Sequence, residues 1–382
     1  MMAPHRILVV NAGSSSLKYA LFQGETAFRG QIERIAEGGY REAFAAMVRA
    51  LTDPEVGAIR DLREIDGVGH RVVHGGEKFQ NAAAIDGGVL AEIERLGEMA
   101  PLHNPINAAY IREARAVLPG AVQVAAFDSA FHQTMSPEAY LYGLPYELYA
   151  TLGIRRFGFH GTSHQYVSRQ AAAFLGRPPE ELAIISCHLG NGASVCAIDG
   201  GRAIDTSMGF TPGEGLIMGT RCGDIDAAVV THLMRNEGMS AERMETLLTK
   251  ESGLLGISGL SRDMREIENA AAEGHVRAKL ALDAFCWRLR RYIGAFMAEL
   301  GRVDVILFTG GIGQGSATVR ALTLDRLGAF GITVDALRNR EVRGFEAIGR
   351  ISPEGAAVEV LVVPTDEERM IADEVMKVLA QR

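Results

Sequence analysis

The chain has 382 residues, 44 of them glycine, with 47% hydrophobic and 23% charged residues; this is globular composition, long enough for two to three domains at roughly 150 residues each. A formal net charge of −8 argues against a nucleic-acid partner while leaving room for a local basic pocket. Cys187, Cys196, Cys222 and Cys286 form no C-x-x-C pair, no stretch approaches the roughly 18 apolar residues of a membrane span, and Met1–Arg6 runs straight into an apolar segment. The expectation is a reduced, cytoplasmic protein without a membrane partner.

In chain order, residues 7–10 are a short apolar run ending at Asn11-Ala12-Gly13-Ser14-Ser15-Ser16, and residues 17–22 resume the pattern. Two strands joined by a polar turn fit this. Residues 65–73 read as a strand and 86–98 as a helix. Pro101-Leu102-His103-Asn104-Pro105 interrupts before a helix over 106–117, and 122–127 is a strand ending at Asp128. Residues 184–187 form a strand followed by His188-Leu189-Gly190-Asn191-Gly192, with 195–198 returning antiparallel. This repeats the arrangement around Asn11 and suggests a duplicated architecture. Over residues 279–300, Phe285, Leu289, Tyr292, Phe296 and Leu300 recur at helical spacing and predict one apolar face. Residues 303–308 are a buried strand leading into Thr309-Gly310-Gly311-Ile312-Gly313, read as a turn, with a helix from Ser316. Residues 358–363 are a strand, and Thr365 or Asp366 caps a final helix. The alternation predicts an α/β fold, with a boundary near residue 131 and the last helix returning to the first domain.

The turn Asn11–Ser16 with Lys18, the turn Gly190-Asn191-Gly192 and the run Gly310–Gly313 all follow apolar strands and offer backbone N–H groups to phosphate. None is a Walker A loop, and each also serves as an ordinary tight turn. Arg71 and Arg221 sit among glycines and polar residues; two guanidinium groups suit a carboxylate or a phosphoryl group, and equally suit surface ion pairs. His160 and His164, four residues apart, lack the Glu and third ligand of a zinc helix; donation to a phosphoryl oxygen is the preferred role for His160. His103 reads equally as a structural histidine. Asp128 is either a turn cap or a residue that orients a nucleophile. Asp366-Glu367-Glu368 offers either a helix cap or hard oxygens for Mg²⁺. No G-x-S-x-G motif is present.

In this order the segments NAGSSSLK from Asn11, GHRVVHGG from Gly69, PLHNP from Pro101, FGFHGTSH from Phe157, CHLGNGAS from Cys187, DTSMGFTPGEGLIMGTRCGDID from Asp205, FTGGIG from Phe308 and VVPTDEE from Val362 resemble the acetate kinase family over nearly the whole chain. The resemblance implies a two-domain, duplicated ribonuclease H-like α/β fold of the acetate and sugar kinase, Hsp70 and actin superfamily. It implies an N-terminal domain of residues 1–131 plus 367–382, a nucleotide-binding domain of residues 132–366, and a cleft between them. It implies reversible transfer of the ATP γ-phosphoryl group to acetate, with Mg²⁺ or Mn²⁺, in a homodimer. Catalysis would fall to Asp128, His160, Arg221 and Arg71. Acyl binding would fall to Arg71, Val73, Leu102, His103, Phe159 and Pro212. Nucleotide binding would fall to Lys18, His188, Leu189, Gly190, Asn191 and Gly192, together with Asp263, Met264 and Arg265 and with Gly311, Ile312 and Gly313. Asn11 and Glu367 would hold the metal.

Two departures bear on specificity. Gln314 and Gly315 replace an acidic residue and an asparagine beside the nucleotide loop, and Gly213 replaces a leucine near the acyl pocket. Propionate is the alternative acyl substrate, because one methylene changes discrimination by only about 1–3 kcal/mol. A sugar kinase would need a polar pocket for hydroxyl groups. An actin- or Hsp70-like nucleotide-regulated binding protein would need a client surface in place of an acyl acceptor.

Overall fold

The computed structural model describes residues 5–13, 16–36, 38–101, 103–342 and 344–382. The chain forms two compact units, the first made of Met1–Gln133, Gly161–Ser163 and Asp366–Arg382, the second of Thr134–His160 and His164–Thr365.

The first unit is built on strands β1 (Arg6–Ala12), β2 (Ser16–Gln23), β3 (Thr26–Glu33), β4 (Gly67–Val72), β5 (Ala83–Ala84) and β6 (Val122–Phe127), in the order β3-β2-β1-β4-β6-β5. β1, β2 and β3 form an antiparallel meander, and β1, β4 and β6 are mutually parallel. Successive side chains of a strand point to opposite faces. Leu8 and Val10 therefore pack with Phe44, Met47 and Tyr110 from the helices Tyr40–Leu51 and Asn104–Val117. Ile7 and Val9 pack on the other face with Ile371, Ala372 and Val375 of the final helix, Glu367–Ala380. That helix lies unusually close to β4. A Cβ on Gly69 would stand 2.5 Å from Ile371 Cγ2, and one on Gly67 would stand 2.7 Å from Val375 Cγ1. The missing side chains of β4 let the helix settle there. Asp366 starts it, accepting from the Arg369 amide at 2.9 Å.

The second unit repeats this sheet. β7 (Ala183–Leu189), β8 (Ala193–Asp199) and β9 (Arg202–Thr206) are an antiparallel meander, and β7 runs parallel to β10 (Val305–Thr309), itself parallel to β12 (Glu359–Val362). With β11 (Gly349–Arg350) the order is β11-β12-β10-β7-β8-β9. From the meander inwards, the strand order and directions match those of the first unit. Helix Val276–Leu300 begins earlier than its sequence pattern predicts, because His275 caps it by accepting from the Ala278 amide. Phe285, Leu289 and Phe296 are buried as expected; Ile293 joins them, while Tyr292 and Leu300 are only half-buried. The segment read as a glycine turn after β10 is a short helix, Gly310–Gly315. Gly310 carries a φ of 75° and comes so close to β7 that a Cβ would stand 2.7 Å from the Leu189 carbonyl oxygen. This turn needs glycine on both grounds.

Candidate active site

Three parallel strands of the first unit deliver three polar side chains to one edge of its sheet. Asn11 lies near the end of β1, Arg71 near the end of β4, and Asp128 directly after β6. Register places them side by side: Val10 pairs with His70, Arg71 with Ala126, and the Asp128 amide donates to the Val72 carbonyl. Carboxyl ends of parallel strands are where α/β proteins bind ligands. Arg71 Nη2 donates to Asp128 Oδ2 at 2.6 Å, Arg71 Nε lies 3.1 Å from the same oxygen, and Nη1 donates to Asn11 Oδ1 at 3.3 Å. Asp128 is 1% exposed and also accepts from Thr162 Oγ1 at 3.3 Å.

The start of the final helix brings two carboxylates to the same place. Glu367 Oε2 is 3.9 Å from Arg71 Nε, and Glu368 Oε1 accepts from Asn11 Nδ2 at 3.2 Å. Burial pulls the Arg71 guanidinium down, but the charges of Asp128 and Glu367 outweigh it and hold it above its ordinary value. Glu367 is raised, first by burial and then by Asp128 and Glu368, with Arg71 and Lys18 opposing. Asn11 Oδ1 and the Glu367 carboxylate are hard oxygen donors on either side of one guanidinium. Mg²⁺ is usually held by one or two protein oxygens, the remainder being water and phosphate, so this pair fits the ion. Among the described residues, no three His, Cys, Asp or Glu side chains gather as an all-protein metal cage.

Of the remaining first-unit candidates, Val73 is buried, its amide donating to Asn107 Oδ1. His103 is half-buried and directly precedes helix Asn104–Val117. Lys18 is exposed on β2, opposite Asn11 in the register. Leu102, Ser14 and Ser15 lie outside the described residues.

The second unit gathers a separate set around the turn between β7 and β8. His160 precedes helix Gly161–Leu175 with a φ of 58°, a left-handed conformation rare for a residue with a side chain. Its ring stacks on His188 at a centroid distance of 4.3 Å, and its Nδ1 lies 2.9 Å from Ser194 Oγ. A Cβ on Gly192 would stand 3.5 Å from both Arg221 Nη1 and His160 Cε1, so guanidinium and imidazole flank the same turn. Arg221 Nη1 donates to the Pro212 carbonyl at 3.0 Å, and among the described residues no carboxylate pairs with this guanidinium. Burial lowers it from its ordinary value. Asn191 is exposed, and its carbonyl accepts from the Gly219 amide, tying the turn to the segment that carries Arg221. Leu189 and Phe159 are buried; Gly190, Gly192 and Pro212 are half-buried.

The nucleotide candidates of this unit divide in two. Asp263 caps helix Met264–Ala272 and pairs with the exposed Arg265, Nη2 to Oδ2, at 2.6 Å. Met264 is buried in the core and so offers backbone rather than side chain. Gly311 is exposed, Ile312 half-buried and Gly313 buried. Gln314 turns inwards, its Nε2 donating to the Gly344 carbonyl at 2.6 Å.

Sequence reasoning passed over several residues. Arg320, fully buried, donates to the Gly313 and Gln314 carbonyls at 2.8 and 2.9 Å and so braces the glycine helix. Asn104 and Asn107 hold the backbone of His74 and Val73. Ser194 was legible in principle, since a hairpin across Gly190–Gly192 pairs it with His188. Arg320 and the two asparagines left no comparable signal.

Residues 25–373 match the acetokinase family. The acetate kinase of Thermoanaerobacter pseudethanolicus is 49% identical over 399 residues, covering 98% of this chain and 99% of that protein. The crystal structure of Porphyromonas gingivalis acetate kinase superposes with a TM-score of 0.93 at 42% identity, covering 98% of this chain and 100% of the other. A propionate kinase from Francisella tularensis superposes with a TM-score of 0.87 at 37% identity, covering 98% and 99%. With such coverage at both ends of the comparison, the chain belongs to the acetokinase family.

Proposed function

We propose that this protein is an acetate kinase, which transfers the γ-phosphoryl group of ATP to acetate and forms acetyl phosphate and ADP, reversibly. One observation carries the reading: Arg221, a guanidinium without a carboxylate partner among the described residues, stands beside His160 over a single glycine turn. Such a pairing is suited to a phosphoryl group that gains negative charge as it transfers. Arg71, held by Asp128, offers its remaining donor face to the carboxylate of the acid. Acetate is already ionised near neutral pH, so Asp128 acts by orienting Arg71 and by electrostatics rather than as a base. His188, Asn191 and the β7–β8 turn hold the nucleotide phosphates. Asp263, Arg265 and the glycine helix hold the adenosine. Asn11 and Glu367 would hold Mg²⁺, which when bound would screen the charge of the nucleotide phosphates. Val73, Leu102, His103, Phe159 and Pro212 receive the acyl group.

The matching strand orders support a duplicated, ribonuclease H-like origin for the two units. The domain reading is residues 1–131 with 367–382, and residues 132–366. Helix Ala227–Asn236 has no buried residue and exposes Val229 and Met234, which supports a homodimer; light scattering that reads a monomer at working concentration would refute it.

The deciding experiment offers acetate, propionate and butyrate with Mg-ATP and traps acyl phosphate with hydroxylamine, against a control without acid. Highest kcat/KM on acetate is expected. Preference for propionate would change the substrate and keep the chemistry. ATP hydrolysis with no acyl phosphate from any acid would overturn the reading.

A further inference from the structure

His160 does not stand alone. Its Nδ1 lies 2.9 Å from Ser194 Oγ, which lies 2.8 Å from His164 Nε2; His164 Nδ1 in turn lies 2.8 Å from Ser186 Oγ. Ser186, Ser194 and His164 are each fully buried. The two serines come from facing strands, β7 and β8, and the two histidines from either side of the first turn of helix Gly161–Leu175. Four side chains thus form one continuous row that ends at the imidazole assigned to the phosphoryl group.

Such a row has a direction. A hydroxyl donates one hydrogen bond, and a neutral imidazole donates from one nitrogen and accepts at the other. If the Ser186 hydroxyl donates to His164 Nδ1, His164 Nε2–H donates to Ser194 Oγ and the Ser194 hydroxyl donates to His160 Nδ1. The proton of His160 is then on Nε2, the nitrogen that a phosphoryl oxygen requires as a donor. If every bond is reversed, His160 Nε2 is a lone pair and would repel that oxygen. A protonated His160 donates from both nitrogens and takes the reversed row. Stacking on His188 keeps the ring plane fixed while this choice is made.

We propose that Ser194 and His164 are positioning residues for phosphoryl transfer, holding the His160 imidazole with Nε2 as donor. The inference rests on the reading of His160 given above. It extends the site to a buried row that never touches substrate.

The test uses the full chain. Ser194→Ala and His164→Gln should lower kcat by about 10- to 100-fold, the range usual for residues that orient a reacting group, with little change in KM for acetate. Ser194→Thr, which keeps the hydroxyl, should restore most of the loss. In a His160→Ala background, Ser194→Ala should cost nothing further, because the two act as one unit. Nitrogen-15 spectra of the His160 ring should report the Nε2–H tautomer in the parent and a mixture in Ser194→Ala. Should that variant fail to fold, Ser186→Ala, which removes only the distal hydroxyl, reads the same spectral change. Equal losses from Ser194→Ala with and without His160, or an unaltered tautomer, would overturn the inference. Full activity of His160→Ala alone would instead remove the role assigned to His160; the ring spectra then still decide the tautomer by themselves.

Discussion

Arg71 donates to Asp128 through Nη2 and Nε, at 2.6 and 3.1 Å, where the ends of two adjacent parallel strands meet. The pair joins a nearly inaccessible carboxylate to a guanidinium that keeps some exposure. Removing the cation would strand a buried charge, which costs about 3–5 kcal/mol. Arg71→Ala should therefore lower the melting temperature and also lower kcat by about 10²–10³. Asp128→Asn leaves the partly exposed Arg71 cation, which still has Glu367 3.9 Å away, and should lose turnover with a smaller loss of stability. Equal stability of Arg71→Ala and the parent in thermal melts would refute the coupling.

Arg221 predicts the opposite balance. It has no carboxylate to abandon among the described residues, and burial already disfavours its charge. Arg221→Ala should lose about 10²–10³ in kcat while the urea midpoint moves little. A large fall in that midpoint would mean that Arg221 is a structural residue.

The left-handed backbone of His160 gives a third comparison. A non-glycine residue held there costs on the order of 1–3 kcal/mol. His160→Gly should be more stable than His160→Ala by roughly 1 kcal/mol, and both should be equally deficient in transfer. Equal denaturation midpoints for the two would show that the backbone relaxes instead.

Glu367 is raised by burial and by the neighbouring Asp128 and Glu368, so if it holds Mg²⁺ as proposed, its carboxylate is ionised for that role only above a raised value. Apparent Mg²⁺ affinity should fall on the acid side sooner than an exposed glutamate would dictate. Glu367→Gln should weaken Mg²⁺ activation severalfold and flatten this dependence, checked by Mg²⁺ titrations of initial rate at several pH values.

Glu299, beside Asp205, is raised from 4.5 to about 7 by desolvation first and by the Asp205 charge second, and Asp205 is raised as well. Folding then takes up protons between these values, so the stabilisation is full below pH about 4.5 and lost as pH rises through about 7. Glu299→Gln should flatten stability against pH over that window, measured by urea unfolding. An unchanged slope would exclude the pair as its source.

The sequence by itself determined the strands and the glycines between them. Residues 7–10, 122–127 and 184–187 are apolar runs short enough to be strands, and each ends at polar residues that local chemistry marks as candidates: Asn11, Asp128 and His188. Strand β3 and helix Tyr40–Leu51 escaped the reading, the first because it carries only three apolar residues, Ala27, Phe28 and Ile32, and none of its residues is fully buried. Which candidates touch was decided by tertiary structure. Asn11, Arg71 and Asp128 are far apart in sequence and meet because parallel pairing aligns the ends of β1, β4 and β6. Glu367 joins them because Gly67 and Gly69 let the final helix lie close against β4. Ser194 reaches both His160 and His164 through the β7–β8 register and the first turn of a helix. Local pattern reports how a residue's own segment is built; partnership across long separations depends on register and close packing, which exist only once the chain has folded.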